Sequence, residues 1–133
     1  MRTIVNALRL KARCVLLVSR SPQRKAYPGL WSFPGGRVEE NETMIEALTR
    51  ELREEIAIVP TTYAYLATIS EAYSCASDPA TYHIYSVMAW GGEPSLTGNE
   101  HTELSWFALE KAAALPDLAL DQYRFLFRRL ADV

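Results

Sequence analysis

The order of elements legible in this 133-residue chain predicts an α/β protein, with a mixed β-sheet covered by helices on both faces. Three observations carry that expectation. Apolar runs and period-2 alternation mark strands on both sides of residue 43. A capped amphipathic stretch from Thr43 to Ile58 marks a helix between them. Two shorter amphipathic segments close the chain.

Taken in order, Thr3 to Leu10 and Lys11 to Ser19 read as strands, and Cys14 to Val18 is a continuous apolar run of the kind buried on both faces. Ser19 to Gly29 is a loop carrying Arg20, Arg24 and Lys25 beside Pro22 and Pro28. It is either a solvated basic loop or, as a group, a set of cations for phosphate oxygens. Trp31 to Phe33 forms a short strand with both aromatics on one face, and Gly35-Gly36 then suits a turn whose backbone approaches a bound group closely. Thr43-x-x-Glu46 is a capping box, and Ile45, Leu48, Leu52 and Ile56 recur at helical spacing.

Thr61 to Ala72 and Thr81 to Trp90 read as a hairpin around the turn-like segment Cys75 to Pro79. Tyr73, Tyr82, His83 and Tyr85 cluster there, either as packing residues or as rings on which a base stacks. A polar loop from Gly91 to Asn99 leads into Glu100-His101 and a last strand, Leu104 to Phe107. Leu109 to Leu115 and Asp121 to Ala131 are helices, the second with a stripe of Tyr123, Phe127 and Leu130, and Asp121 is placed to cap it.

Composition limits the function. About half the residues are apolar and a quarter charged, as in a globular protein expected to form one domain over residues 1–133. The net charge of −2 speaks against polymeric nucleic acid as a partner, because a phosphate backbone calls for a basic surface. No stretch approaches the ~20 apolar residues that span a bilayer, and Met1-Arg2 opens directly into strand-like sequence. No membrane partner is therefore expected, and the expected location is cytoplasmic. Cys14 and Cys75 lack metal spacing and are expected as reduced thiols.

The chemistry concentrates on the central helix. Glu51, Glu54 and Glu55 stand at i, i+3 and i+4 on one flank, where carboxylates repel one another, and no basic residue lies between Glu51 and Glu55. Such a face is either simply solvated or a site for hard divalent cations. The surrounding pattern resembles the Nudix box, G-x5-E-x7-R-E-U-x-E-E-x-G-U, with U a bulky aliphatic. It runs here over residues 36–58 as Gly36, Glu42, Arg50, Glu51, Leu52, Glu54, Glu55, Ala57 and Ile58. Every fixed position matches except the second glycine, which is Ala57. Alanine in the left-handed conformation of a helix stop costs about 1 kcal/mol, so either the last turn carries that strain or the helix exits differently before Pro60.

The resemblance implies an α/β/α sandwich and a pyrophosphohydrolase with Mg²⁺ (or Mn²⁺) as cofactor. It implies metal contacts from Glu51, Glu54, Glu55 and the Gly35 carbonyl, with proton transfer by Glu54 or Glu100 and Glu103 in reserve. Arg50 then orients a neighbouring glutamate and Glu42 steadies the helix start. Arg20, Arg24, Lys25, Tyr73 and Asp121 are the substrate-binding candidates, Asp121 reading a base edge if it does not cap. The substrate implied is a small nucleotide or another diphosphate, foremost a nucleoside triphosphate cleaved to monophosphate and pyrophosphate. Residues 16–36 also resemble the upstream signature of coenzyme A diphosphatases, with Val18 for threonine and Lys25 for arginine, so a coenzyme A or nucleotide-sugar diphosphatase is the alternative. An ADP-ribose pyrophosphatase would carry a proline where Tyr73 and Ser74 stand. A non-catalytic nucleotide-binding module is the alternative of another class, against which the complete set of acids argues. Family members are often dimers, so a homodimer stays open.

Overall fold

The computed structural model describes residues 2–23, 28–71 and 79–132. In chain order the elements are β1 (Arg2–Leu8), β2 (Leu10–Lys11), β3 (Cys14–Arg20), β4 (Trp31–Ser32), β5 (Gly35–Arg37) and α1 (Met44–Ile56). They continue as β6 (Val59–Ser70), β7 (Ala80–Gly91), β8 (His101–Ala108), α2 (Leu109–Ala113) and α3 (Gln122–Ala131). Among the described residues the strands form two four-stranded sheets. One has the order β5-β1-β7-β6, with β1 and β7 parallel. The other has β2-β3-β4, with β8 also pairing β3. Helices cover both faces, as the order of elements predicts.

Period-2 alternation explains the layering. On β3, Val15 and Leu17 point to one core while Leu16 and Val18 point to the other, all fully buried. On β1, Val5 and Ala7 join Leu16, Val18, Leu48, Leu52, Ile56 and Val87 under α1. Leu8 faces the opposite core, with Phe33, Leu109, Tyr123 and Phe127 beneath α2 and α3. Burying a leucine, isoleucine or phenylalanine contributes about 1.5–3 kcal/mol, so these two stripes hold the sheets between the helices. Trp31 packs edge-on against Phe107, and Phe33 against Tyr123 and Phe127, so both aromatics of that short strand serve packing. Cys14 is a free, half-buried thiol, and Cys75 lies outside the described residues.

Helix α1 starts as predicted. The Thr43 hydroxyl accepts from the Glu46 amide and the Glu46 carboxylate accepts from the Thr43 amide. It stops at Ala57 in the left-handed conformation, φ 60°, with its amide donating to the Leu52 carbonyl. Of the two exits open to the sequence, the last turn carries the strain, and Pro60 sits inside β6 opposite Trp90.

Three local expectations are corrected. The first two strands do not meet at residues 10 and 11. Ala12 and Arg13 both adopt positive φ, and this tight turn folds Leu10–Lys11 back on Cys14–Val15. Gly35-Gly36 is not a turn but the start of strand β5, paired with Asn6 and Val5. A side chain at Gly35 would meet the Val5 carbonyl, so glycine is required for strand packing there. Finally, the Asp121 side chain makes no capping hydrogen bond at α3. It accepts instead from Arg124, at 3.3 Å. No described helix is long and apolar enough to cross a membrane.

Candidate active site

Two routes through the chain meet beside β5. Along α1, Glu51 and Glu55 follow the buried stripe of Leu48, Leu52 and Ile56 closely enough to be carried inward, and Glu55 is only 5% exposed. Its Oε2 accepts from the Gly35 amide at 3.2 Å. Glu51 lies against Gly36, where a Cβ would stand 2.4 Å from its carboxyl carbon, so the missing side chain at Gly36 is the space the Glu51 carboxylate occupies.

The second route is the loop after β7. The last carbonyls of a helix need partners, and this loop supplies them: the Ser95 amide donates to Ile56, the Thr97 amide to Glu55 at 2.8 Å, and the Thr97 hydroxyl to Glu54. The chain then reaches Glu100, whose carbonyl accepts from the Ser21 amide at 2.9 Å, and His101, which opens β8 opposite Arg20. Docking the loop on the end of α1 therefore sets Glu100 and His101 beside Glu55. The ligand atoms of Glu55, Glu100 and His101 lie within 4.8 Å of one another.

The electrostatics follow from that crowding. Burial, then the Glu51 charge, pushes the Glu55 carboxyl up to about 10, with the Gly35 amide opposing and Glu100 adding a smaller push. Burial also raises Glu51, against the pull of Arg50 and of the Glu55 carboxyl beside it. Arg50 works from the outer side. Its Nε and Nη2 grip Glu42 at 2.7 and 3.0 Å, its Nη1 reaches Glu51 at 2.8 Å, and its Nη2 also donates to the Arg37 carbonyl at 3.0 Å. Glu54 meets the same Nη1 at 3.5 Å, with its side chain 60% exposed.

These acids open into a cavity of about 300 Å³. Glu51, Glu55, Glu100, Gly35 and Gly36 line one end. Arg20 and Arg37 add positive charge, and Ile4, Phe33, Tyr82, Leu120 and Tyr123 form apolar walls. Of the sequence-predicted site residues, Arg20, Gly35, Glu51, Glu55 and Glu100 share this cavity. Arg50 stands behind it, and Glu54 and Asp121 are outside its lining, Asp121 with its side chain 88% exposed. Arg24, Lys25 and Tyr73 lie outside the described residues. Of the tyrosine and histidine cluster, Tyr82 lines the cavity. His83 instead bonds the Tyr65 hydroxyl at 2.7 Å, and Tyr85 packs against Tyr63 and Tyr65. Sequence reasoning missed Arg2, Asn6, Arg37, His101 and Tyr123. The alternation along β1, which puts Arg2, Ile4 and Asn6 on one face, is the signal that would have found two of them.

The donor set suits a divalent cation on the structure's own terms. Carboxyls as close and as buried as Glu51 and Glu55 stay protonated or share a proton unless positive charge is brought between them, and with Glu100 and His101 they offer oxygen and imidazole atoms that could hold such an ion. Fold and site together define a hydrolase of phosphoric anhydrides. The chain belongs to the Nudix family, whose enzymes use divalent metal ions: the family model for the NUDIX domain matches residues 2–128. The chain is 35% identical over 101 residues to the CTP pyrophosphohydrolase of Escherichia coli, covering 76% of this chain and 72% of that protein. It is 36% identical over 78 residues to the 8-oxo-dGTP diphosphatase of Proteus vulgaris, covering 59% and 68%. A MutT NUDIX hydrolase from Burkholderia pseudomallei superposes with a TM-score of 0.83 at 26% identity, over 96% of this chain and 95% of that one.

Proposed function

We propose that this chain hydrolyses a nucleoside triphosphate to the monophosphate and pyrophosphate with Mg²⁺ (or Mn²⁺) as cofactor. The observation that carries this reading is a single cavity with two kinds of lining. Glu51, Glu55 and Glu100 converge in it beside Arg20 and Arg37, and Ile4, Tyr82 and Leu120 give it apolar walls that suit a flat base. The similarity to a CTP pyrophosphohydrolase supports a triphosphate over the coenzyme A and nucleotide-sugar alternatives.

In this reading Glu51, Glu55 and the Gly35 carbonyl would hold the cation, with His101 at the edge of the set and Glu54 joining from the rim, which leaves Glu100 for the proton. When bound there, the divalent ion offsets diphosphate charge and makes water a better nucleophile. Arg20 and Arg37 orient the phosphate oxygens. Glu100 takes the proton of the attacking water, because it lines the cavity from its own loop and Arg50 does not pin it. Arg50 fixes Glu51 while itself held by Glu42, and so acts on the site through its neighbours.

The test is pyrophosphate release with Mg²⁺ over a panel of triphosphates, nucleotide sugars and coenzyme A, using wild type, Glu100→Gln and Glu54→Gln. Triphosphate turnover that falls by about a hundredfold or more in Glu100→Gln, and less in Glu54→Gln, is expected. Preferred turnover of coenzyme A, or full activity in Glu100→Gln, would reject the reading as stated.

A further inference from the structure

The catalytic reading seats a base against the apolar walls of the cavity and names no residue that reads its edge. Strand β1 runs along the cavity floor, and its alternate residues Asn6, Ile4 and Arg2 all line it. Asn6 pairs with Gly35, whose amide holds Glu55, so Asn6 marks the acidic end. Arg2 lies four residues back along the strand, about 13 Å away, a span suited to a sugar and base beyond a first phosphate. Between them Ile4 and Tyr82 are partners in register, and Ala119 and Leu120 line the same space.

The surroundings of Arg2 form a built polar corner. Arg2 pairs with Ala80 on β7, and the Glu71 amide donates to the Ala80 carbonyl, so Arg2 and Glu71 flank Ala80 from either side. Ala80 carries only a methyl group there. Glu71 is 3% exposed and accepts from the Ala80 amide at 3.1 Å and from the Tyr82 hydroxyl at 3.4 Å. Burial pushes the Tyr82 phenol up, with Tyr123 and Glu71 adding to the rise and Arg2 opposing it. A carboxylate this buried calls for a nearby cation, and a guanidinium has five donors, enough to meet a carboxylate and still face a ligand.

We propose that Arg2, steadied by Glu71 and Tyr82, reads the nucleobase edge and selects bases with two adjacent acceptors, guanine (O6 and N7) or cytosine (O2 and N3). Adenine and uracil place a donor beside each acceptor on the corresponding edges, which a fork of N–H groups does not match. The inference rests on the nucleotide reading of the site and adds the residue that sets base preference.

The experiment compares kcat/KM for GTP, CTP, ATP and UTP in wild type, Arg2→Leu, Arg2→Lys and Glu71→Gln, with thermal melts to confirm folding. Wild type is expected to favour GTP or CTP over ATP and UTP by about tenfold. Arg2→Leu is expected to erase that ratio mainly through KM. Arg2→Lys, which keeps the charge but not the fork, is expected to lose most of it. Glu71→Gln should lower the same ratio, and if that variant does not fold, the two Arg2 variants decide. Equal loss for all four nucleotides, an unchanged ratio in both Arg2 variants, or a wild type without the preference would overturn the proposal. If wild type cleaves no triphosphate, the catalytic reading fails separately. Calorimetric titration of the four nucleotides into wild type and Arg2→Leu then tests the base preference alone, with the same outcomes deciding.

Discussion

Arg50 holds Glu42 at two points, Nε to Oε2 at 2.7 Å and Nη2 to Oε1 at 3.0 Å, and the same guanidinium reaches Glu51 at 2.8 Å. One planar cation thus ties the segment before α1 to an acid of the site, and a lysine has no fork with which to do so. Arg50→Lys is expected to lower kcat/KM by about tenfold to a hundredfold while the fold survives, measured by steady-state kinetics beside a thermal melt. A melt transition lost altogether would instead assign Arg50 to holding the fold.

Glu55 gives the metal-free protein an inverted pH response. Its folded-state carboxyl sits at about 10, far above an unfolded glutamate near 4.5. The folded chain therefore holds a proton that the unfolded chain has already released between those values. Stability in EDTA should fall as pH rises from about 5 to about 10, and Glu55→Gln should flatten that slope. Titrating Mg²⁺ in at pH 7 should release protons, detectable as a buffer-dependent heat in calorimetry, because a carboxyl must ionise to bind the ion.

Glu42 behaves in the opposite sense. Arg50, then the Glu39 amide, holds its carboxyl down at about 2. The stabilisation from that pair is present above the unfolded value near 4.5 and lost as pH falls toward 2. In acid titrations followed by circular dichroism, Glu42→Gln should remove part of the loss of stability in that window.

At Gly36 a methyl group would enter the space of the Glu51 carboxylate, 2.4 Å from its carbon. Gly36→Ala is expected to displace Glu51 and reduce turnover by about a hundredfold, the scale of an ångström misplacement at a reacting centre. Near-wild-type kinetics would mean that Glu51 has slack to move without loss.

Ala57 carries left-handed backbone, φ 60°, where glycine pays no side-chain penalty. Ala57→Gly is expected to raise stability by about 1 kcal/mol in urea denaturation and to leave kcat unchanged, since Ala57 touches none of the cavity.

Much of this was legible in one dimension because its causes are local. The capping box at Thr43 and Glu46, the stripe of Ile45, Leu48, Leu52 and Ile56, and the apolar run from Cys14 to Val18 depend on periodicity and short-range hydrogen bonds, and each forms as predicted, with Ile45 and Cys14 only partly buried. The spacing of Glu51, Glu54 and Glu55 announced a crowded acidic flank for the same reason. Where the sequence misled, a competing partner decided, far along the chain in one case and three residues on in the other. Gly35-Gly36 became strand because β1 offers Asn6 and Val5 to pair with, and Asp121 turned to Arg124 instead of capping its helix.

The sequence by itself determined the family, the two-layered core and the crowding of acids along α1, since a motif's spacing and the period of a helix or strand need nothing beyond neighbouring residues. Only the tertiary structure decided which acids meet. Glu55 turns inward while Glu54 stays at the rim, Glu100 and His101 arrive by way of a loop seated on the end of α1, and Arg2 shares a cavity with residues more than a hundred positions away. Contacts of that kind depend on how sheets and helices pack across distance, and no local pattern in the chain encodes them.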